Sequence, residues 1–117
     1  LSERGWIGVD FDGTLATYNG WEGPDVLGEP IPLMVMRVRG WLERGYEVRI
    51  LTARVASAHP CEERELAREA IGRWCVTHLG RPIEVTSEKD GDMIELWDDR
   101  AVAVRDGIPL SNNSRIA

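Results

Sequence analysis

The sequence predicts a single α/β domain with a mainly parallel five-stranded sheet and helices on both faces, making three layers. Three observations carry this expectation. Short apolar runs of strand length alternate with longer stretches in which apolar residues recur every three or four positions. The connections are mostly short, and strands interleaved with helices in this way pair in parallel through right-handed crossovers. The 117 residues, 43% hydrophobic and 29% charged, suit one soluble core that buries roughly two-thirds of the unfolded surface.

Trp6-Ile7-Gly8-Val9 is an apolar run that stops at Asp10 and reads as a buried strand feeding a loop. Residues 13–30 are rich in glycine, include Pro24 and Pro30, and hold no sustained period, which predicts an irregular hairpin or flap. From Pro32, the residues Leu33, Met34, Val38, Trp41 and Leu42 mark a first amphipathic helix that stops at Gly45. Residues 46–51 read as a second strand, with Thr52-Ala53-Arg54 in the loop at its end. Pro60 suits the first position of a second helix, Glu62, Glu63 and Glu65 its positive end, and Gly80 its stop. Its expected buried stripe is Leu66, Ala67, Ala70, Ile71, Trp74, Cys75 and Leu79. Residues 83–85 and 94–97 are expected as the third and fourth strands, separated by a polar loop through Lys89. Ala101 to Val104 is expected as a fifth strand, and residues 111–117 as a frayed tail.

Charge and cysteine usage narrow the function. The net charge is −6 and the arginines are scattered, which disfavours an extended nucleic-acid footprint while leaving a small phosphorylated substrate open. No apolar run approaches the roughly 20 residues of a membrane helix, so no membrane partner is expected. Leu1 to Gly5 shows no signal-peptide core, and the chain reads as cytoplasmic. Cys61 and Cys75 fall on one predicted helix roughly 21 Å apart, beyond disulfide reach, and read as reduced thiols.

In parallel α/β sheets ligands sit at the carboxyl ends of the strands, where Asp10, Thr52, Lys89 and Asp98-Asp99 are expected to converge. That set meets the needs of phosphate monoester hydrolysis. A carboxylate nucleophile splits the reaction through an aspartyl-phosphate, a role for Asp10 at the strand end. A second carboxyl group must protonate the leaving group and then activate water, and Asp12 stands beside it, with Gly13 allowing a tight turn. Crowded carboxylates and a phosphate dianion require a divalent cation, and Mg²⁺ prefers such oxygen donors, with Asp98 and Asp99 as further ligands. Thr52, neighbouring backbone amides and Lys89 would hold the phosphoryl oxygens.

Asp-x-Asp-Gly-Thr after one strand, Thr52 after the next, Lys89, and Asp98-Asp99 at a later strand end together resemble the haloacid dehalogenase superfamily, over residues 6–105. The resemblance implies a Rossmann-like sheet, Asp10 as nucleophile, and Asp12 as general acid and base. It also implies Mg²⁺ held by Asp10, the main-chain carbonyl of Asp12 and an acid of the last motif, Asp99 with Asp98 in support. Ala53, Arg54 and Gly13 join Thr52 as expected substrate contacts. Asp12 favours the phosphatase branch, because the dehalogenases lack this second carboxylate. Neither residues 13–30 nor 54–60 could form a cap domain, so the expected single domain has an open mouth or takes its lid from a second copy of the chain.

Alternatives remain open from sequence. Leu96 to Arg100 resembles the Asp-Asp-Arg ending of polynucleotide 3′-phosphatases, and a non-enzymatic phospho-aspartate signalling or binding module would also use acids, Thr and Lys. Trp6, Trp41, Trp74 and Trp97 fall on predicted buried faces, whereas Trp21 and Tyr18 lie in the flap, as a stacking platform or as loop aromatics. Arg54 reads either as a clamp for a second anion or as a solvated side chain, Asp90 and Asp92 as support for Lys89 or loop residues, and His59 and His78 as structural.

Overall fold

The computed structural model describes residues 5–116; Leu1 to Arg4, used in judging the chain's start, and Ala117 of the tail lie outside the described residues. The chain runs β1 (Trp6–Asp10), α1 (Pro32–Glu43), β2 (Glu47–Leu51), a 3₁₀ turn (Ala53–Val55), α2 (Cys61–Leu79), β3 (Glu84–Thr86) and β4 (Met93–Trp97). β5 (Val104–Arg105) and β6 (Ile108–Pro109) follow. The main sheet has four strands in the order β3-β2-β1-β4, every pair parallel.

Register and side-chain alternation give the sheet two unlike faces. Ile7 pairs with Val48, Val9 with Ile50, and Ile50 with Val85, so these side chains share one face. They form one buried cluster with Val38, Trp41 and Leu42 of α1 and Ala67, Ile71, Trp74 and Cys75 of α2. Both helices therefore cover the same face. The strand order explains why: β1 to β2 to β3 steps in one direction across the sheet, and two right-handed crossovers in one direction fall on one side. The expectation of helices on both faces is corrected accordingly. The other face carries Trp6, Gly8 and Arg49 and is crossed by residues 87–92, whose Asp90 accepts from Trp6 Nε1 at 2.9 Å and lies 3.5 Å from Arg49.

The expected fifth strand is also corrected. Val104–Arg105 pairs antiparallel with Ile108–Pro109, apart from the main sheet. Asp106 and Gly107 both have positive φ, 52° and 80°, the backbone of a two-residue hairpin turn that folds the chain back on itself. Residues 111–116 hold no helix or strand, although Asn113 Nδ2 donates to the Ala101 carbonyl at 2.7 Å.

Two helix stripes shift slightly. Leu33 and Leu66 are exposed rather than buried. At about 100° per residue, Leu33 sits about 125° from the centre of the face set by Met34, Val38, Trp41 and Leu42, so it points to water. Pro60 caps α2 from just outside, and Gly80 ends it in the left-handed conformation with its N–H on the Val76 carbonyl. Trp6, Trp41 and Trp74 are buried. Cys61 and Cys75 are both free, the first exposed, the second buried with its thiol pushed up to about 12 by that burial. No described helix is long and apolar enough to cross a membrane.

The segment between β1 and α1 is irregular but tied down. Thr17 N–H donates to the Glu29 carbonyl at 2.8 Å, Glu29 N–H to Thr17 Oγ1 at 3.0 Å, and Trp74 Nε1 to the Gly28 carbonyl at 3.0 Å. It contains no helix and builds no cap domain.

Candidate functional site

Phe11 organises the loop that follows β1. Its ring is fully buried, edge-on to Trp74 at 4.9 Å between centroids, and its carbonyl accepts the N–H groups of Leu15 and Ala16 at 2.9 Å. With Phe11 turned into the core, alternation sends its neighbours Asp10 and Asp12 to the other side, where a cavity opens. Asp10 pairs with Leu51 at the end of β2, Thr52 N–H donates at 2.9 Å to the carbonyl of Thr86, the last residue of β3, and Asp98 directly follows β4. The carboxyl ends of the strands thus gather the acids in one place.

Carboxylate oxygens of Asp10, Asp98 and Asp99 all lie within 4.8 Å of one another. Thr14 Oγ1 reaches Asp10 Oδ2 at 3.3 Å and Asp99 Oδ1 at 3.5 Å, and Arg100 N–H donates to Asp98 Oδ1 at 2.7 Å. Asp10 is raised from 3.8 to about 7, by burial first, then by a hydrogen bond with Asp99 and repulsion from Asp98 and Asp99, against a lowering contact from the Phe11 N–H. Three carboxylates with oxygens this close could hold a hard divalent metal ion. Gly13 makes room for this cluster. A Cβ there would stand 2.5 Å from Asp99 Oδ2, and its φ of 84° disfavours any side chain.

Asp12 stays out of the triad. Its carboxylate accepts from Arg54, Nε to Oδ2 at 2.8 Å and Nη2 to Oδ1 at 2.9 Å, a bidentate pair. Arg54 is 3% exposed and also donates through Nη1 to the carbonyls of Gly23 and Pro24 at 2.9 and 3.0 Å. It is thus neither a solvated side chain nor a free anion clamp, but a link between Asp12 and the flap. Thr52, 4% exposed, accepts the Arg54 N–H at 3.2 Å and lines the cavity with Ala53.

No family model matches this chain, and no curated protein matches it. Among solved structures it is similar to a conserved protein coded by a locus from Bacteroides thetaiotaomicron, at 20% identity and a TM-score of 0.55, over 88% of this chain and 83% of that one. The shared feature is the α/β fold.

The structure does not bring Lys89 to the acids. It is exposed, forms no ion pair among the described residues, and does not line the cavity. The reason is topological: residues 87–92 leave the carboxyl end of β3, cross about 14 Å of sheet and restart β4 at its opposite end, carrying Lys89 away. The cavity's cations are Arg54 and Arg100 instead. Sequence reading also set His59 aside as structural. It lines the cavity with its ring nearly parallel to Trp21, 12° between planes and 5.7 Å between centroids. Its place after β2, in a loop at the carboxyl end of the sheet, is the signal that could have found it.

Proposed function

We propose that the protein is a Mg²⁺-dependent phosphohydrolase that cleaves a phosphate monoester through an aspartyl-phosphate on Asp10, in the manner of the haloacid dehalogenase superfamily. The observation that carries this reading is the uncompensated triad of Asp10, Asp98 and Asp99 beside a second, separately held carboxylate, Asp12. Asp10, Asp98 and Asp99 would hold the Mg²⁺, which supplies charge neutralisation between the acids and the phosphate dianion.

In the first step an Asp10 oxygen bonds to phosphorus as the ester oxygen leaves, and Asp12 gives that oxygen a proton. In the second, Asp12 takes a proton from water as the water oxygen attacks phosphorus, and the Asp10 carboxylate departs. The bidentate Arg54 pair fixes the plane of Asp12, and each carboxylate oxygen keeps a second lone pair for the travelling proton. Thr52, whose oxygen already accepts the Arg54 N–H, can turn its own proton toward a phosphoryl oxygen. Arg100, which lines the cavity, takes the cationic role expected from sequence for Lys89.

The acidic net charge and a cavity volume of about 360 Å³ favour a small substrate over a polynucleotide. Free thiols at Cys61 and Cys75 agree with a reducing, cytoplasmic setting. The test is Mg²⁺-dependent release of phosphate from an aryl phosphate. Activity is expected with Mg²⁺, lost with chelator, and lost in Asp10→Asn at an unchanged circular dichroism spectrum. Undiminished turnover in that variant would overturn the nucleophile assignment.

A further inference from the structure

One wall of the cavity is unused by the chemistry above. Trp21, Tyr18 and His59 line the same cavity as the carboxylates. Trp21 and Tyr18 are 49% and 39% exposed, so both offer aromatic surface to the cavity they line. The indole is also held in place. Arg54 lies over its ring at 5.0 Å, His59 stacks against it, and the flap that carries it is fastened to Arg54 through Gly23 and Pro24. A loop aromatic restrained from several sides and still half open is a preorganised platform, because its ordering cost is met before any ligand arrives.

From this wall we infer that the site selects a phosphate monoester whose leaving group carries a flat aromatic ring, a nucleoside 5′-monophosphate, with the base against Trp21 and the phosphate over Asp10. The inference rests on the phosphohydrolase reading and narrows its substrate class. The cavity volume, about 360 Å³, is at the low end for small-molecule sites and fits one such nucleotide. Ring faces accept any base, whereas a sugar phosphate needs hydroxyl partners that a wall of aromatic faces supplies poorly. Arg54 links this wall to the acids: the guanidinium 5.0 Å from the Trp21 ring centre is the one that holds Asp12.

The experiment compares adenosine 5′-monophosphate with glycerol 1-phosphate, both of which leave as primary alkoxides and so differ little in intrinsic reactivity. With Mg²⁺, the wild-type protein is expected to favour the nucleotide in kcat/KM by about tenfold or more. In Trp21→Ala that preference falls to near one, mainly through KM, and in Trp21→Phe most of it returns. Melting curves confirm that both variants fold. Equal use of the two substrates by the wild-type protein, or an unchanged preference in Trp21→Ala, would overturn the inference while leaving the phosphohydrolase reading standing. If neither ester is cleaved, that reading has failed, and titration calorimetry with Mg²⁺ decides the inference separately. Adenosine 5′-monophosphate should then bind about tenfold tighter than ribose 5-phosphate, with the difference lost in Trp21→Ala, and equal binding would overturn it.

Discussion

Two clusters of acids meet their charge differently, one on the open face of the sheet and one at the carboxyl ends of its strands. On the open face, Glu47, Glu84 and Asp90 gather around Arg49, with contacts at 2.8, 3.7 and 3.5 Å, and Arg49 in turn lies over the Trp6 ring at 4.6 Å. Asp90 is held below the usual carboxylate range, first by the Trp6 N–H, then by the Asp92 N–H and Arg49. At the carboxyl ends of the strands, Asp10, Asp98 and Asp99 crowd together with no such arginine among them, and Asp10 rises to about 7. Both regions collect acids, but among the described residues Asp10, Asp98 and Asp99 form no ion pair. Where the protein neutralises its acids the cluster is structural; where it leaves them unneutralised, the cluster is suited to hold something else.

The strongest way to break this contrast is Asp10→Asn. Phosphatase activity is expected to fall on the order of 10⁴-fold, the scale of losing a nucleophile, while the metal-free protein melts no lower than wild type at pH 8 because repulsion has been relieved. Next comes Arg54→Met, which removes the cation paired with Asp12, the proposed general acid and base. Leaving Asp12 partly buried and alone should cost about 3 kcal/mol in urea unfolding and about 100-fold in kcat. Arg54→Lys should rescue it only in part, because an ammonium cannot pair bidentately.

Gly13→Ala probes how closely the acids must approach. The added methyl meets Asp99 and the backbone sits at positive φ, so Mg²⁺ affinity by calorimetry should weaken about tenfold, with about 1 kcal/mol of lost stability. Smaller still is a pH effect on the metal-free protein. Asp10 titrates near 7 when folded against 3.8 when unfolded, so the folded state keeps a proton that the unfolded chain has released. The stability this gives is complete below about pH 4 and is lost as pH rises through about 7. After allowance for solvent screening it is on the order of 1 kcal/mol, or about 4 °C in Tm, and should vanish in Asp10→Asn. Mg²⁺ displaces the proton, so its affinity should rise across the same window. On the open face, Arg49→Met and Lys89→Ala should leave kcat/KM within about twofold, and Arg49→Met should cost at most about 1 kcal/mol. A large activity loss in either would erase the distinction between the two regions.

Much of the frame was legible in sequence because its signals are local. The apolar run ending at Asp10, the stripes of α1 and α2 and the glycine stops at Gly45 and Gly80 each follow from period and capping within a few residues. Ala101 to Val104 misled because strand composition does not say which partner a strand finds, and the Asp106-Gly107 turn supplied one at once.

By itself, then, the sequence determined a parallel α/β arrangement and the meeting of Asp10, Thr52 and Asp98-Asp99, since parallel strands bring their carboxyl ends to one edge whatever lies between them. Tertiary structure decided which charges are neutralised. Arg54 reaches Asp12 across 42 positions, Lys89 is carried to the far face by a crossover, and His59 and Trp21 meet only because the flap folds over the β2 end. Side-chain pairing over such separations depends on where the packed core places each backbone, and no local pattern of residues encodes that distance.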